Sequence, residues 1–348
     1  MSEATLPGLE TVEPVLPVTE RTPWIERGPQ KRLMLFAGRS NPELAERIAD
    51  TLGVALGEVE LKTFANGETY VRYDDSIRGS DAFIVQSGNP PVNDHLVELL
   101  IMIQAAKLAS AKRITAVVPW YPYSRQDKKS RPREPITARL VADFLESAGV
   151  DRVLTMDLHA GQIQGFFNVP VDHMTALPLF ANYYRDKGLY GEKIVAVSPD
   201  PGRAKMARRF GQMLEADLAI MNKVRPEHDT AEVTEVIGDV EGKVAILSDD
   251  MIVTGGTLIA GAHALKEAGA TEVYACATHG LFPGNAFEKI AASELGEVTV
   301  ADTVPVDKLN QPDKIKVISV SKLLAETIYN VFADDSVSAI FAGENQLF

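Results

Sequence analysis

The fold class of this 348-residue chain is indicated most clearly by residues 244–257, which read VAILSDDMIVTGGT. Their apolar run is long enough for a buried strand, and it ends in two adjacent carboxylates, Asp249 and Asp250. A Thr-Gly-Gly-Thr turn follows, and the residues from Leu258 to Ala268 have the pattern of a helix. A strand, a glycine turn and a helix in this order predict one βα unit of an α/β fold.

The turn before this helix has the properties of a phosphate-binding site. Backbone amides in the first turn of a helix have no partner within the helix, and the helix dipole favours an anion there. Gly255 and Gly256 carry no Cβ, so a ligand can approach the backbone closely. Asp249 and Asp250 are expected at the C-terminal end of the strand, where open α/β sheets bind ligands. We therefore expect a sugar phosphate; an ordinary turn after a solvated strand end is the alternative.

Length and composition limit the domain number and the class of partner. The length predicts about two domains. The net charge of −13 argues against a nucleic-acid partner held by phosphate neutralisation, although a local basic cluster can still bind small anions. No apolar stretch reaches the roughly 18 residues of a membrane span, and no signal pattern is found, so we expect a cytoplasmic protein without a membrane partner. Cys276, the one cysteine, is expected in the core.

Strand patterns alternate with helix patterns along the chain. Strands are predicted at 33–37, 81–86, 114–119, 153–156 and 194–197, and helices after Ser40 and over 93–110. Apolar runs separated by helices imply mostly parallel sheets flanked by helices. A weak repeat relates 144–159 to 264–279, because each segment has a helix, an Ala-Gly stop and a strand that leads to a histidine. We therefore predict two related α/β domains.

The predicted domain boundaries follow from this repeat and from local composition. Residues 1–30 contain five prolines and little periodicity, and we expect a flexible N-terminal arm. The first domain is assigned to 31–175, the second to 176–330, and a C-terminal tail to 331–348.

Two polar segments of the first domain carry candidate nucleotide-binding residues. Residues 64–70 form a predicted hairpin turn with an aromatic ring and a carboxylate, which alone is not specific. Residues 123–135 hold five basic residues within nine positions, directly after a predicted strand. A charge run is usually a solvated face, but at a strand end a polyphosphate-binding loop is the favoured interpretation.

Two further pairs are candidates for cation chemistry. His159 and Asp200 each follow a predicted strand and could share a hard cation whose other ligands are phosphate oxygens and water. A hydrogen-bonded structural histidine is the alternative. Lys223 and Arg225 lie in a polar, proline-containing segment that could close over transferring phosphates, the alternative being a surface pair.

Together these motifs resemble the ribose-phosphate pyrophosphokinase (PRPP synthase) family, in particular its bacterial phosphate-activated class. The resemblance runs from about Arg32 to Phe341 and is carried by FANGE (64–68), YSRQDKK (123–129), REPITARLVA (133–142), DLHAGQIQGFF (157–167), VSPD (197–200) and DDMIVTGGT (249–257). It implies two phosphoribosyltransferase-like domains, each a mostly parallel sheet flanked by helices. It also implies transfer of the diphosphoryl group of ATP to the anomeric hydroxyl of ribose 5-phosphate. The products, AMP and 5-phosphoribosyl 1-diphosphate, would serve nucleotide, histidine and tryptophan biosynthesis.

The resemblance implies a role for each candidate residue. Asn66, Gly67 and Glu68 would hold adenine, supplied from a neighbouring subunit, with Phe64 stacking on the base, and Arg125 and Gln126 would contact the nucleotide. His159 and Asp200 would belong to a Mg²⁺ site. Lys223 and Arg225 would be mobile cations that stabilise the transition state. Ribose 5-phosphate would be bound by Arg225, Asp249, Asp250, Val253, Thr254, Gly255, Gly256 and Thr257, the turn holding its 5-phosphate. A hexamer, orthophosphate activation and ADP inhibition are also implied.

Three positions depart from the family pattern. The usual motif has an acid where this chain has Val253, an Asp where it has Asn66, and a Gly-Gly within the segment that reads Pro-Gly-Arg at 201–203. At Val253 the phosphate cradle must therefore act through backbone amides. Two alternative functions are a base phosphoribosyltransferase, which would not need the nucleotide segments, and a catalytically silent regulatory paralogue, which Val253 would suit.

Overall fold

The computed structural model describes residues 24–26, 31–224 and 233–338, and the chain divides into two compact units. The first unit holds the described residues up to Met174, with Thr303–Pro305 and the segment that begins at Ser319. The second holds Thr175–Asp302 and Val306–Ile318. Each unit is built on its own mostly parallel sheet with helices, which confirms the predicted α/β class.

The described elements up to Met174 belong to the first unit. They are β1 (Trp24–Glu26), β2 (Arg32–Ala37), α1 (Pro42–Leu52), β3 (Val59–Thr63), β4 (Thr69–Tyr73), β5 (Asp81–Val85), α2 (Val92–Leu108), β6 (Arg113–Val118), α3 (Thr137–Ala148), β7 (Arg152–Met156), a 3-10 helix (Gly161–Phe166) and β8 (Val171–Met174). Six strands form a sheet in the order β1-β2-β5-β6-β7-β8, in which only β1 runs antiparallel to its neighbour. Every residue of β5 is buried, as expected for a central parallel strand that is covered on both faces.

The remaining elements follow the same alternation. They are α4 (Leu177–Asp186), β9 (Ile194–Ser198), a 3-10 turn (Pro201–Arg203), α5 (Ala204–Leu214), β10 (Asp217–Val224), β11 (Val233–Ile237), β12 (Val244–Ile252), α6 (Gly256–Glu267), β13 (Glu272–Gly280), α7 (Ala286–Ala292), β14 (Glu297–Ala301), β15 (Ile315–Ile318) and α8 (Ser321–Ala333). In the described part of the second unit, the sheet order is β11-β10-β9-β12-β13-β14-β15, and only the β10–β11 pair is antiparallel. The predicted strands and helices are found, with ends that differ by one or two residues. Cys276 is buried, as predicted.

The start of α1 shows how the local sequence fixes a helix boundary. The side chain of Asn41 accepts a hydrogen bond from the Leu44 amide at 3.4 Å, and Pro42 occupies the first helical position. Gly53 ends the helix in the left-handed conformation, at a φ of 71°. The chain therefore leaves β2, turns and begins a helix without an unpaired buried amide at Leu44.

The predicted internal repeat corresponds to two helix–strand segments. Gly149 ends α3 at a φ of 113°, and Gly269 follows α6 at a φ of 94°, so both stops use a backbone conformation that favours glycine. The two histidines differ in position. His159 lies beyond the end of β7, whereas His279 lies inside β13 and is fully buried.

Two segments differ from the sequence-based boundaries. Residues 24–26, which lie in the predicted flexible arm, form β1 against β2, because an open edge strand offers unpaired backbone groups. Residues 1–23 and 27–30 lie outside the described residues. Helix α8 falls mostly in the range assigned to the second domain but belongs to the first unit, where it contacts α1. The domain division at 175–176 stays a prediction, and 339–348 of the predicted tail are not described.

Among the described residues, no helix is long and apolar enough to cross a bilayer.

A glycine beside the core of the first unit gives a test of packing. A Cβ at Gly57 would lie 2.2 Å from the ring of Phe36, which is fully buried. This ring packs edge-on against the Tyr73 ring, with 4.6 Å between the ring centroids. Gly57→Ala is expected to lower the free energy of unfolding by about 1–3 kcal/mol, because the ring must shift in a close-packed core. Denaturant unfolding measures this change. The matched control is Gly165→Ala, whose Cβ would meet no atom within 4 Å; equal losses in both variants would contradict the packing argument.

Candidate active site

The two carboxylates of the DDMIVTGGT motif lie in the C-terminal part of β12, and Asp250 is two residues before the strand ends. The prediction that the strand stops at these acids is wrong, because β12 continues to Ile252. Its neighbour β13 is equally long and pairs with it as far as the Ile252–Gly280 position, so the backbone stays in the ladder. Asp250 is buried, whereas the side chain of Asp249 is 18% exposed.

Arg203 contacts both acids, and sequence reasoning did not identify it as a site residue. Its Nη2 lies 2.7 Å from Oδ2 of Asp250, and its Nε lies 3.8 Å from Oδ1 of Asp249. The same Asp249 oxygen accepts the backbone N–H of Asp250 at 2.8 Å. Arg203 follows β9, which pairs in parallel with β12, so the two strands deliver these residues to the same edge. The order of these strands in the sheet was the missing information.

The carboxyl of Asp249 has a strongly perturbed affinity for protons. Burial, followed by the hydrogen bond and negative charge of Asp250, raises the pKa of Asp249 well above its usual range. The positive charge of Arg203 acts in the opposite direction. Asp249 therefore holds a proton more readily than an ordinary aspartate, even with Arg203 beside it.

The Thr-Gly-Gly-Thr turn connects these acids to the start of α6. Gly255 has a φ of 75° and is buried, and a Cβ there would lie 3.2 Å from Cγ1 of Ile290. A Cβ at Gly256 would meet only the Thr254 hydroxyl, at 3.7 Å. Within the described structure, no side chain caps this helix start. The turn thus presents backbone donors beside an exposed threonine and an exposed glycine, as a phosphate site requires.

Val253 and Thr257 complete this turn. Val253 directly follows β12 and is half-buried. Thr254 and Thr257 are exposed, and Thr257 lies in the first turn of α6. The side chain of Val253 has no polar atom, so only its backbone can contact a ligand through a hydrogen bond.

Asp200 is attached to the acid pair through Arg203. Its carboxylate accepts the backbone N–H of Arg203 at 3.1 Å, and the hydroxyl of Ser198 donates to its carbonyl at 2.6 Å. Asp200 itself is exposed. The short turn after β9 therefore holds the exposed Asp200 carboxylate against the backbone of Arg203.

In the first unit, the FANGE segment forms the turn between β3 and β4. The Phe64 amide donates to the Glu68 carbonyl at 2.8 Å, and Oδ1 of Asn66 accepts the Glu68 amide at 3.2 Å. Gly67 has a φ of 91° with no atom near its missing Cβ. The Phe64 ring is 51% exposed and lies 5.8 Å from the Tyr70 ring. This turn offers an exposed aromatic face to a ligand.

Arg39 anchors the end of β3 that lies next to this turn. The guanidinium of Arg39 donates to the Thr63 hydroxyl at 2.8 Å and forms an ion pair with Glu98 of α2. Glu98 is buried, and it also accepts the Arg39 backbone amide at 2.8 Å and the Gln86 side-chain amide at 2.9 Å. A buried carboxylate with three donors is stable, so the hairpin is attached to a rigid part of the unit.

Arg125 and Gln126 lie in the loop between β6 and α3, and both are exposed. The Gln126 side-chain oxygen accepts the Thr137 hydroxyl at 2.5 Å, and its carbonyl accepts the Ala138 amide at 3.2 Å. Further along the loop, one oxygen of Glu134 accepts the amides of residues 130 and 131, each at 2.8 Å. Hydrogen bonds therefore connect the basic segment to the start of α3, and others within the segment hold its own backbone.

His159 is half-buried in the turn after β7, and a second histidine holds that turn. His173 of β8 accepts the Leu158 amide through Nε2 at 2.9 Å. Burial lowers the pKa of His173, and the charge of Asp157 acts in the opposite direction. A neutral ring is required for this contact, because a protonated Nε2 cannot accept.

Two predicted residues fall at the border of the described chain. The segment at Lys223 is strand rather than loop, because β10 continues to Val224 and pairs Lys223 with Thr234 of β11. The side chain of Lys223 and the whole of Arg225 lie outside the described residues. Among the residues that are described, no cluster of three or more His, Cys, Asp and Glu side chains could hold a metal ion.

Comparison with known proteins gives consistent matches over both units. Residues 33–149 match the model of the N-terminal domain of ribose phosphate pyrophosphokinase, and residues 221–342 match the phosphoribosyl synthetase-associated domain. A ribose-phosphate pyrophosphokinase of Caldanaerobacter subterraneus is 52% identical over 309 residues, covering 89% of this chain and 98% of the relative. The one from Fusobacterium nucleatum is 48% identical over 88% of this chain and 97% of its own length.

A solved structure also matches. The phosphoribosylpyrophosphate synthetase from Mycobacterium smegmatis has a TM-score of 0.81 and 48% sequence identity to this chain, and the match covers 87% of this chain and 99% of that structure's chain.

The His173 contact predicts a dependence of stability on pH. The pKa of His173 in the folded chain lies below its ordinary value of 6.5, so the unfolded chain binds more protons as the pH falls through that value. Stability is therefore present above pH 6.5 and is lost toward acid. His173→Asn, which cannot titrate, is expected to lose less unfolding free energy than the wild type between about pH 7.5 and 5.5.

The control for this measurement is His263→Asn. His263 is exposed, and the carboxylates of Glu294 and Glu267 raise its pKa, so its removal should leave the loss of stability toward acid in place. An unchanged acid slope in His173→Asn would show that another group causes it.

Proposed function

This chain belongs to the ribose-phosphate pyrophosphokinase family, and we propose that the residues described above divide the family's reaction between a ribose 5-phosphate site and an ATP site. The reaction transfers the diphosphoryl group of ATP to the anomeric hydroxyl of ribose 5-phosphate. It releases AMP and forms 5-phosphoribosyl 1-diphosphate. The matches extend over both domains of the pyrophosphokinase family, so we do not propose a base phosphoribosyltransferase.

The ribose 5-phosphate site is assigned to the end of β12 and the start of α6. We propose that the 5-phosphate binds the amides of residues 253–257 and that Asp249 and Asp250 accept hydrogen bonds from ribose hydroxyls. The observation that carries this assignment is the uncapped start of α6 beside two carboxylates. A dianionic phosphate suits unpaired backbone donors, whereas the sugar requires acceptors.

The ATP site is assigned to two segments of the first unit. Phe64 would stack on adenine, and Asn66, Gly67 and Glu68 would hydrogen-bond the base from a neighbouring subunit. Arg125 and Gln126 would contact the nucleotide. The support is the exposed Phe64 ring on an anchored hairpin and the basic loop at the end of β6. Stacking on an aromatic ring and ion pairs with phosphate are the usual ways in which proteins bind nucleotides.

Mg²⁺ is proposed as the cofactor. The exposed Asp200 carboxylate supplies the hard oxygen that Mg²⁺ prefers, and such ions commonly take one or two carboxylates with phosphate oxygens and water. His159 is assigned to the same site on family resemblance. When bound, the ion would neutralise charge on the phosphates of ATP. The link from Asp200 to Arg203 fixes the carboxylate and does not block its exposure.

Lys223 and Arg225 are proposed to stabilise the transition state, and Arg225 also to contact ribose 5-phosphate. Diphosphoryl transfer requires positioning in line and cations that balance negative charge spreading over the transferred group. A closing segment would also exclude water, which would otherwise hydrolyse ATP.

The family also suggests the assembly and its regulation. We propose a cytoplasmic homohexamer that is activated by orthophosphate and inhibited by ADP. Neither a nucleic acid nor a membrane is proposed as a partner. A neighbouring subunit would complete the adenine site, which agrees with the exposure of the turn at residues 64–68.

The proposed role of Lys223 is tested by product analysis. With ATP, Mg²⁺ and ribose 5-phosphate, the wild type is expected to form AMP and the phosphoribosyl diphosphate in equal amounts. Lys223→Ala should lower turnover by about 10³- to 10⁵-fold with little change in ATP affinity, because this cation acts on the transition state. Lys243→Ala is the control, since Lys243 pairs with the exposed Asp217 and Asp239. Unchanged turnover in Lys223→Ala would remove this residue from the mechanism, and ADP as the product would contradict diphosphoryl transfer.

The stacking role of Phe64 gives a separate test. Base–aromatic stacking contributes about 1–3 kcal/mol per base, so Phe64→Ala should raise the KM for ATP about 5- to 150-fold. The KM for ribose 5-phosphate should stay the same. Leu309→Ala serves as the control because Leu309 is 95% exposed and lies in the second unit. Equal KM values for ATP in wild type and Phe64→Ala would exclude stacking at this position.

A further inference from the structure

Arg203 is the cation of a connected polar cluster, together with Asp200, Asp249 and Asp250. Its Nη2 lies 2.7 Å from Asp250, its Nε lies 3.8 Å from Asp249, and its backbone N–H is bound by Asp200. The side chain of Arg203 is only 18% exposed, the same value as for Asp249, and that of Asp250 is 4% exposed. The pairing is therefore shielded from water, unlike a surface salt bridge.

The positive charge of Arg203 opposes proton binding by Asp249. A carboxylate accepts hydrogen bonds at both oxygens, whereas a protonated carboxyl must place one O–H as a donor. Two neighbouring carboxylates with little access to water tend to retain a proton, because both negative charges are otherwise uncompensated. A retained proton would remove acceptor capacity that the ribose hydroxyls require.

We infer that Arg203 is a positioning residue that orients Asp249 and Asp250 to accept ribose hydroxyls, and that it acts through these acids without binding the sugar itself. This inference rests on the proposed ribose 5-phosphate site. Arg203 lies outside both the DDMIVTGGT motif and its Thr-Gly-Gly-Thr turn. The role follows from a contact between two strand ends rather than from a sequence pattern.

The shape of the guanidinium suits a role that a lysine fills less well. Nη2 and Nε belong to one rigid plane, and they approach different carboxylates. An ammonium group supplies the charge but not the fixed geometry of two donors. The turn at 201–203 limits the position of the Arg203 backbone further, because Asp200 holds its amide at 3.1 Å. The cation is thus held at both its backbone and its side chain.

The test is a binding measurement that does not depend on turnover. Isothermal titration with ribose 5-phosphate alone, and separately with Mg-ATP, is applied to wild type, Arg203→Gln, Arg203→Lys, Asp250→Asn and the double variant Arg203→Gln/Asp250→Asn. Arg203→Gln is expected to weaken ribose 5-phosphate binding about 10- to 100-fold, the range for hydrogen bonds to charged groups. Arg203→Lys should recover part of this loss. The affinity for Mg-ATP should change little.

The double variant separates positioning from direct contact. If Arg203 acts through Asp250, the two substitutions are not additive, and Arg203→Gln adds little to the loss already caused by Asp250→Asn. A full additional loss in the double variant would show that Arg203 does not act through Asp250 and would overturn the inference. Wild-type affinity in Arg203→Gln would overturn it as well.

Two controls complete the experiment. Arg185→Gln removes another arginine of the same unit, which pairs with the exposed Glu215 at 3.0 Å, and should leave ribose 5-phosphate binding unchanged. Asp249→Asn tests the proposed site itself. If Asp249→Asn and Asp250→Asn bind normally, the proposed site fails; if they bind weakly and Arg203→Gln binds normally, only the role of Arg203 fails.

Discussion

The second unit depends on the parallel pairing of β9 with β12. Hydrogen bonding from Val244 opposite Ile194 to Leu247 opposite Val197 brings the carboxyl ends of both strands to one edge of the sheet. One strand end supplies the turn at 200–203, and the other supplies the acids and the start of α6. The strands are buried on both faces, so a one-residue slip would cost the core packing of the unit. The geometry of the polar cluster is therefore fixed by the buried apolar residues of these two strands.

Local features of this molecule follow from the sequence with good accuracy, because local physical rules determine them. The Asn41-Pro42 helix start, the two Ala-Gly stops and the βα unit that contains the Thr-Gly-Gly-Thr turn all depend on residues close together in the chain. The ribose 5-phosphate and nucleotide residues were identified from motifs, and their roles remain proposals.

The features that the sequence did not reveal depend on distant partners. Arg203 lies 46 residues before Asp249, and only the strand order joins them. Strand β12 continues past its acids because β13 supports it, and β1 forms because β2 has an open edge. Helix α8 belongs to the first unit because its apolar face meets α1. None of these contacts leaves a periodic or compositional signal in the segment concerned.

The hairpin of the first unit has a consequence for how this enzyme can change during evolution. Thr63, at the end of β3, is attached to the buried Glu98 through Arg39, whereas the turn at 64–68 is exposed. Substitutions at the turn therefore alter a contact surface without disturbing the core that supports it. Selection can adjust the fit to a nucleotide or to an adjacent subunit at these positions while the fold keeps its stability. Asn66 lies in such a replaceable position, whereas the buried Glu98 does not.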